Sequence, residues 1–211
     1  MSTARRLWQD NADLASAALE HPFVRGLADG TLPRELFAGY IAQDAVFLES
    51  FARTYALAIA HSPDRAGLDA FTDLLVGVRD ELRMHESYAQ RWDVDLSSVT
   101  TLPATLAYTD FLLATAALGG VAQICAAMTP CMRLYAYLGT QLASRRTSDR
   151  YAEWVDTYAD PDFEALATTL ERLLDRYAGD AAAPGDDRLG ATYRRAMRLE
   201  VAFFDAAYGL T

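Results

Sequence analysis

The chain has 211 residues, 52% of them apolar, with a formal charge of -10 and a pI near 4.7. That length and apolar content suit one domain with a full hydrophobic core, residues 1–211, and argue against disorder. The acidic balance, without a basic patch or a helix-turn-helix pattern, argues against nucleic acid as a partner. All nineteen basic residues are arginine, which excludes lysine Schiff-base and lysine-nucleophile chemistry.

Helical periodicity runs along almost the whole chain, and no segment alternates convincingly as a strand. A first helix is expected over residues 3–19, followed by the link HPFVRGLADGTLP, which carries two glycines and ends at Pro33, a helix-start signal. A long helix follows over residues 34–60. Ser62 and Pro63 open the next, which continues through LDAFTDLLVGVRDELRMHESYAQRW. The polar segment DVDLSSVTTLP separates it from a helix starting near Ala104, and Gly119 and Gly120 break that one before VAQICAAMTPCMRLYAYLGTQLA. Helices over residues 149–158 and 162–177 come next. AGDAAAPGDD forms the loop before a last helix over residues 188–208. Seven or eight helices with short connections and no repeat predict an all-α bundle.

The most apolar run, residues 111–128, is interrupted by Gly119, Gly120 and Gln123 and does not read as a membrane span. The N-terminal residues turn acidic and amphipathic at once and lack a signal-peptide core. Cys125 and Cys131 lie six apart in one helical segment and point to different faces, so no bridge between them is expected, and a reducing cytoplasm is the natural location.

Candidate site residues are polar groups on otherwise apolar helix stripes. Asp44 shares such a stripe with Tyr40, Phe47, Leu48 and Phe51. Cys131 and Tyr135 are four apart and share a face, as do Trp154 and Tyr158; Tyr108 follows Pro103 near the start of its helix. Glu200 has Phe203 and Phe204 one turn on, so its carboxylate is expected to be partly desolvated. Acid, thiol, second acid and phenols from several helices suit a small-molecule site. The same spacing equally fits core tyrosines and solvent-facing helix acids, so periodicity alone does not establish a site. Pro130, directly before Cys131, reads either as a kink or helix join beside an inert buried thiol, or as a distortion that presents the thiol to a cavity. Glu81, His85 and Glu86 imitate part of a di-iron motif, but three histidines in the chain are few for such a centre, and His85 reads better as hydrogen-bonded in the core. No metal and no cofactor are expected.

Taken in order, HPF near the start, YIAQD with Asp44, RMHE, the tyrosine soon after a proline, PCMRLY, WVDTYADPDF and the final E-x-x-FF-D-x-A-Y resemble the TenA, or thiaminase II, family over about residues 7–208. The resemblance implies a haem-oxygenase-like all-α fold without haem, assembly as a homotetramer, and a cytoplasmic role in thiamin salvage. The implied reaction replaces the aminomethyl nitrogen of 4-amino-5-aminomethyl-2-methylpyrimidine by hydroxyl, with cleavage of thiamin itself as a further activity. By the same resemblance, Cys131 matches the nucleophile, Asp44 the acid that binds the aminopyrimidine, and Glu200 the acid that handles the leaving group. Tyr108, Tyr135, Tyr158 and Phe203 match pocket residues. One departure is Phe47, which stands where many members carry tyrosine: the aromatic face survives and a hydroxyl is lost, which bears on substrate preference or rate. The rival expectations are a non-catalytic pyrimidine-binding or regulatory protein, and a di-iron oxidase on the same scaffold.

Overall fold

The computed structural model describes residues 1–92, 94–179 and 188–209. Among these residues every regular element is helical: α1 (Thr3–Asp10), α2 (Ala12–Leu19), α3 (Pro22–Asp29), α4 (Arg34–His61), α5 (Arg65–Trp92), a short 3-10 turn (Leu96–Ser98), α6 (Pro103–Leu118), α7 (Val121–Arg145), α8 (Ala152–Ala159), α9 (Pro161–Ala178) and α10 (Arg188–Tyr208). Most of the loop predicted before α10, residues 180–187, lies outside the described residues, as does Asp93 of the predicted polar segment. No described helix is long and apolar enough to cross a membrane.

The helices outnumber the seven or eight expected, for two local reasons. The first predicted helix breaks at Asn11, whose buried side-chain amide donates to the Leu7 carbonyl at 2.8 Å and whose Oδ1 accepts from Arg194 at 3.2 Å. A side chain that satisfies the preceding turn in this way competes with continuation of the helix. The segment predicted as a link contains α3. His21 caps it, its ring Nδ1 accepting from the Phe23 amide at 3.1 Å; Pro22 occupies the first turn, and Gly30, at φ 77°, ends it in the left-handed region that suits glycine. Histidine is an unusual cap, so the start signal was absent from the usual residue types.

Pro130 neither ends α7 nor divides it into two helices. The missing N–H leaves the carbonyl four residues back without its helical donor, a cost of roughly 3 kcal/mol. Every residue from Ile124 to Met132 is buried, so the packing of two and a half turns offsets it.

The elements divide between two compact units, residues 33–124 and residues 1–32 with 125–211. In the first, α4 packs against α5 and α6, burying Phe37, Tyr40, Ile41, Phe47, Leu48 and Phe51 along one stripe with α5's Phe71, Leu74 and Val78 and α6's Phe111 and Leu112 also buried. In the second, α10 packs on α2 and α3, and α9 on α1 and α8. There α7 is held to α9 by Arg133, which donates to Glu171 at 2.9 and 2.7 Å and to Glu164 at 2.8 Å from one nitrogen to both oxygens. Desolvation opposes the charge on Arg133, but these hydrogen bonds outweigh it and raise the guanidinium pKa further.

Candidate active site

The predicted site residues fall into two sets, one on each unit. On residues 33–124, Asp44 sits in the middle of α4 and is 4% exposed, a buried acid rather than one at a helix edge. One turn on, Phe47 faces Tyr108 of α6 with ring centroids 4.8 Å apart and Phe51 at 5.4 Å. These contacts make an apolar wall of the kind that takes a flat heteroaromatic ring.

Tyr108 is placed by Gln43, the neighbour of Asp44. Leu102, the residue that enters α6, has no capping side chain. Gln43 supplies the missing acceptor: its Oε1 receives the Leu102 amide at 2.9 Å and the Thr105 hydroxyl at 2.8 Å, while its Nε2 donates to the Thr100 carbonyl at 3.0 Å. Sequence reasoning missed this role, although the pair Gln43-Asp44 stands inside the quoted YIAQD.

It also missed the partner of Asp44. His85 of α5 approaches Asp44 Oδ2 with its Nε2 at 2.6 Å, and its Nδ1 lies 3.0 Å from the Glu81 carbonyl oxygen. Both side chains are almost wholly removed from solvent. Burial is the largest influence on His85 and opposes its charge; the Asp44 hydrogen bond and the charges of Asp44 and Glu81 together outweigh it and hold the imidazole up to about 9. At neutral pH the balance favours the charged imidazole. Both ring nitrogens of His85 face oxygen atoms of the protein, and among the described residues no group of three or more His, Cys, Asp or Glu side chains is placed to hold a metal ion.

On the other unit, Cys131 lies midway along α7, outside any disulfide and 9% exposed. Its helix mate Cys125 is fully buried, and desolvation pushes that thiol far above its ordinary range, which leaves it chemically inert. Tyr135, one turn after Cys131, joins an aromatic cluster: Tyr158 at 4.8 Å edge-on, Trp154 at 5.8 Å and Phe204 at 5.9 Å, nearly parallel. Gly139, a further turn along α7, permits the approach of α8, for a Cβ at that position would stand 2.3 Å from the Tyr158 carbonyl carbon. Glu200 of α10 is 2% exposed, with Phe203 and Phe204 buried one turn beyond it. Glu200 is thus an interior acid and not a solvated helix charge.

A buried thiol, an interior acid and an aromatic cluster on an all-helical frame suit covalent chemistry on a small ring, and comparison with known proteins gives this frame its lineage. Residues 8–210 match the TENA/THI-4/PQQC family. The chain belongs to that family. An aminopyrimidine aminohydrolase of Halalkalibacterium halodurans is 32% identical over 99% of this chain and 96% of its own length. The mitochondrial bifunctional TH2 protein of Arabidopsis thaliana is 38% identical over 88% of this chain, which spans 34% of that larger protein. Among solved structures, a protein described as a TenA family transcription regulator from Silicibacter sp. TM1040 superposes with a TM-score of 0.93 at 31% identity, covering 98% of this chain and 97% of that one. A Shewanella denitrificans domain with a haem-oxygenase-like fold superposes at a TM-score of 0.77 and 18% identity over 98% of this chain and 92% of that one, a likeness of fold alone. The TenA-type chain described here therefore has the haem-oxygenase-like all-α fold expected from its sequence.

Proposed function

We propose that this chain is an aminopyrimidine aminohydrolase of thiamin salvage, converting 4-amino-5-aminomethyl-2-methylpyrimidine and water to the hydroxymethylpyrimidine and ammonia, and that it also accepts thiamin. The observation that carries the reading is the end-to-end similarity to the Halalkalibacterium aminohydrolase. The burial of Asp44 and Glu200, acids of a kind that seldom enter a core without a partner or a task, supports it.

In the proposed mechanism each residue takes the role that the family resemblance gives it. Direct displacement of an amine from the methylene is slow because the nitrogen leaves poorly unless protonated. Addition of the Cys131 sulfur to the pyrimidine ring forms a carbon–sulfur bond, its thiol proton passes to a ring nitrogen, and the ring π electrons so displaced become available to expel the group on the methylene. Glu200 donates a proton to the departing nitrogen, which leaves as ammonia. Water adds to the exposed methylene carbon and returns a proton to Glu200, the carbon–sulfur bond breaks, and the sulfur departs with its electron pair and recovers its proton from the ring nitrogen. Asp44 accepts a hydrogen bond from the exocyclic amino group, and from the ring nitrogen once that nitrogen is protonated, while Phe47, Tyr108, Tyr135, Tyr158 and Phe203 hold the ring. A homotetrameric, cytoplasmic, single-domain protein of residues 1–211 completes the proposal, on the strength of the family resemblance.

The deciding experiment separates products chromatographically after incubation with the aminomethylpyrimidine and, in parallel, with thiamin, for wild type and Cys131→Ser. Hydroxymethylpyrimidine is expected from wild type, with turnover abolished and substrate binding retained in the variant. Near-wild-type turnover by Cys131→Ser would overturn covalent catalysis. The Silicibacter relative, described as a regulator, favours a second reading as a non-catalytic pyrimidine-binding protein; binding of both compounds without product from either would support it.

A further inference from the structure

His85 stands outside every role assigned so far, yet its surroundings constrain its protonation by geometry. The Glu81 carbonyl oxygen, 3.0 Å from Nδ1, can only accept, so Nδ1 carries a hydrogen. A neutral imidazole with that hydrogen would present a bare Nε2 lone pair to Asp44 Oδ2 at 2.6 Å. Two lone pairs do not approach so closely, so a proton lies between them. The groups bearing on it are Asp44 from α4 and, on α5 itself, Glu81 and the Tyr88 ring, 6.0 Å away edge-on. Two acids against one imidazole favour the imidazolium and carboxylate over the neutral pair. Among the described residues no other hydrogen bond reaches Asp44, which leaves Oδ1 for a ligand.

Resting on the reading that Asp44 receives the aminopyrimidine, we propose that His85 is the positioning residue for that carboxylate: clamped between the Glu81 carbonyl and Oδ2, it fixes the Asp44 rotamer, keeps its charge in a desolvated place, and turns Oδ1 toward the amino N–H of the ligand. Without the imidazolium, Asp44 is a nearly solvent-free acid with no cation beside it. Desolvation then disfavours its charged form with no neighbouring cation to offset it. A protonated Asp44 is a poorer acceptor for the ligand's amino N–H. Loss of His85 therefore weakens binding and adds a pH dependence to it, whereas a purely structural role predicts no such dependence.

The test uses calorimetric titration of the aminomethylpyrimidine into the full chain carrying Cys131→Ser, so that no turnover occurs, at pH 6 and pH 8. Titration of the ligand itself cancels in the ratio between variants at each pH. Adding His85→Ala is expected to weaken binding about tenfold at pH 6 and less at pH 8, as befits a hydrogen bond to a charged group. His85→Gln, which keeps an N–H donor near the Nε2 position without its charge, is expected to recover affinity at pH 8 more than at pH 6. If Asp44→Asn leaves affinity unchanged, the assignment of Asp44 to the ligand fails. If Asp44→Asn weakens binding while both His85 variants match the starting protein at both pH values, the Asp44 assignment stands and the His85 proposal is overturned. Imidazole nitrogen chemical shifts of the unmodified His85 provide a second measurement that does not depend on a variant folding. Both nitrogens are expected to be protonated at pH 7.5, and a neutral ring there overturns the proposal.

Discussion

Gly139→Ala perturbs the aromatic set through a single methyl group. In α7 the added Cβ would lie 2.3 Å from the Tyr158 carbonyl carbon, 2.5 Å from the Ala159 nitrogen and 2.5 Å from the Tyr158 oxygen. All three are backbone atoms at the end of α8, so no side chain can rotate away, and ordinary contact requires that end of the helix to retreat by about 1 Å. Two effects oppose each other. Alanine improves helix propensity over glycine by about 1 kcal/mol, while overpacking of a well-packed interior costs about 1–3 kcal/mol and more when only backbone can yield. The steric effect wins, for a net loss of about 2 kcal/mol, which lowers the melting temperature of a chain of this size by roughly 4–8 °C. Because Tyr158 moves with α8, its 4.8 Å contact with Tyr135 loosens, and KM for the aminomethylpyrimidine is expected to rise. Gly39→Ala is the matched control, since a Cβ there meets nothing within 4 Å on the exposed side of α4, and it should raise the melting temperature slightly. Scanning calorimetry of the two variants checks both signs. A Gly139→Ala protein that melts at or above wild type would refute the close packing of α8 on α7.

The buried His85–Asp44 pair predicts an alkaline loss of stability. The imidazole pKa is raised from 6.5 to about 9, so the pair stabilises the fold fully below about 6.5, and that contribution is lost as pH rises through about 9. The difference is on the order of 3 kcal/mol, and denaturant melts between pH 6 and 10 should show it, with His85→Gln flattening the slope. Arg133→Met should cost about 2 kcal/mol by leaving Glu171 and Glu164 without their shared donor, read as a lower urea midpoint at unchanged slope. In native protein carrying Cys131→Ser, the remaining thiol, Cys125, should resist alkylation until the chain is unfolded, as mass spectrometry after iodoacetamide treatment would report.

What the chain determined by itself is its helical character and much of the identity of its interior. Apolar residues at spacings of three and four make the all-α fold legible, and residues 188–208 are helical as the pattern predicts. The stripe containing Asp44 and the phenylalanines after Glu200 likewise announce burial, because a helix face that is apolar on both sides of an acid carries the acid inward with it. Local competition at helix ends was less legible: Asn11 satisfies the α1 turn only once its side chain is buried beside Arg194, and His21 caps α3 with a ring nitrogen that propensity does not anticipate. The pairing of Asp44 with His85, 41 residues away, the clamp of Gln43 on the entry to α6, and the backbone contact at Gly139 were decided by tertiary structure alone. Periodicity reports which face of a helix leaves water, but a hydrogen bond or a contact between backbones depends on the rotation and translation of two helices against each other. That geometry is set by the packing of the whole interface, and no spacing within either helix encodes it.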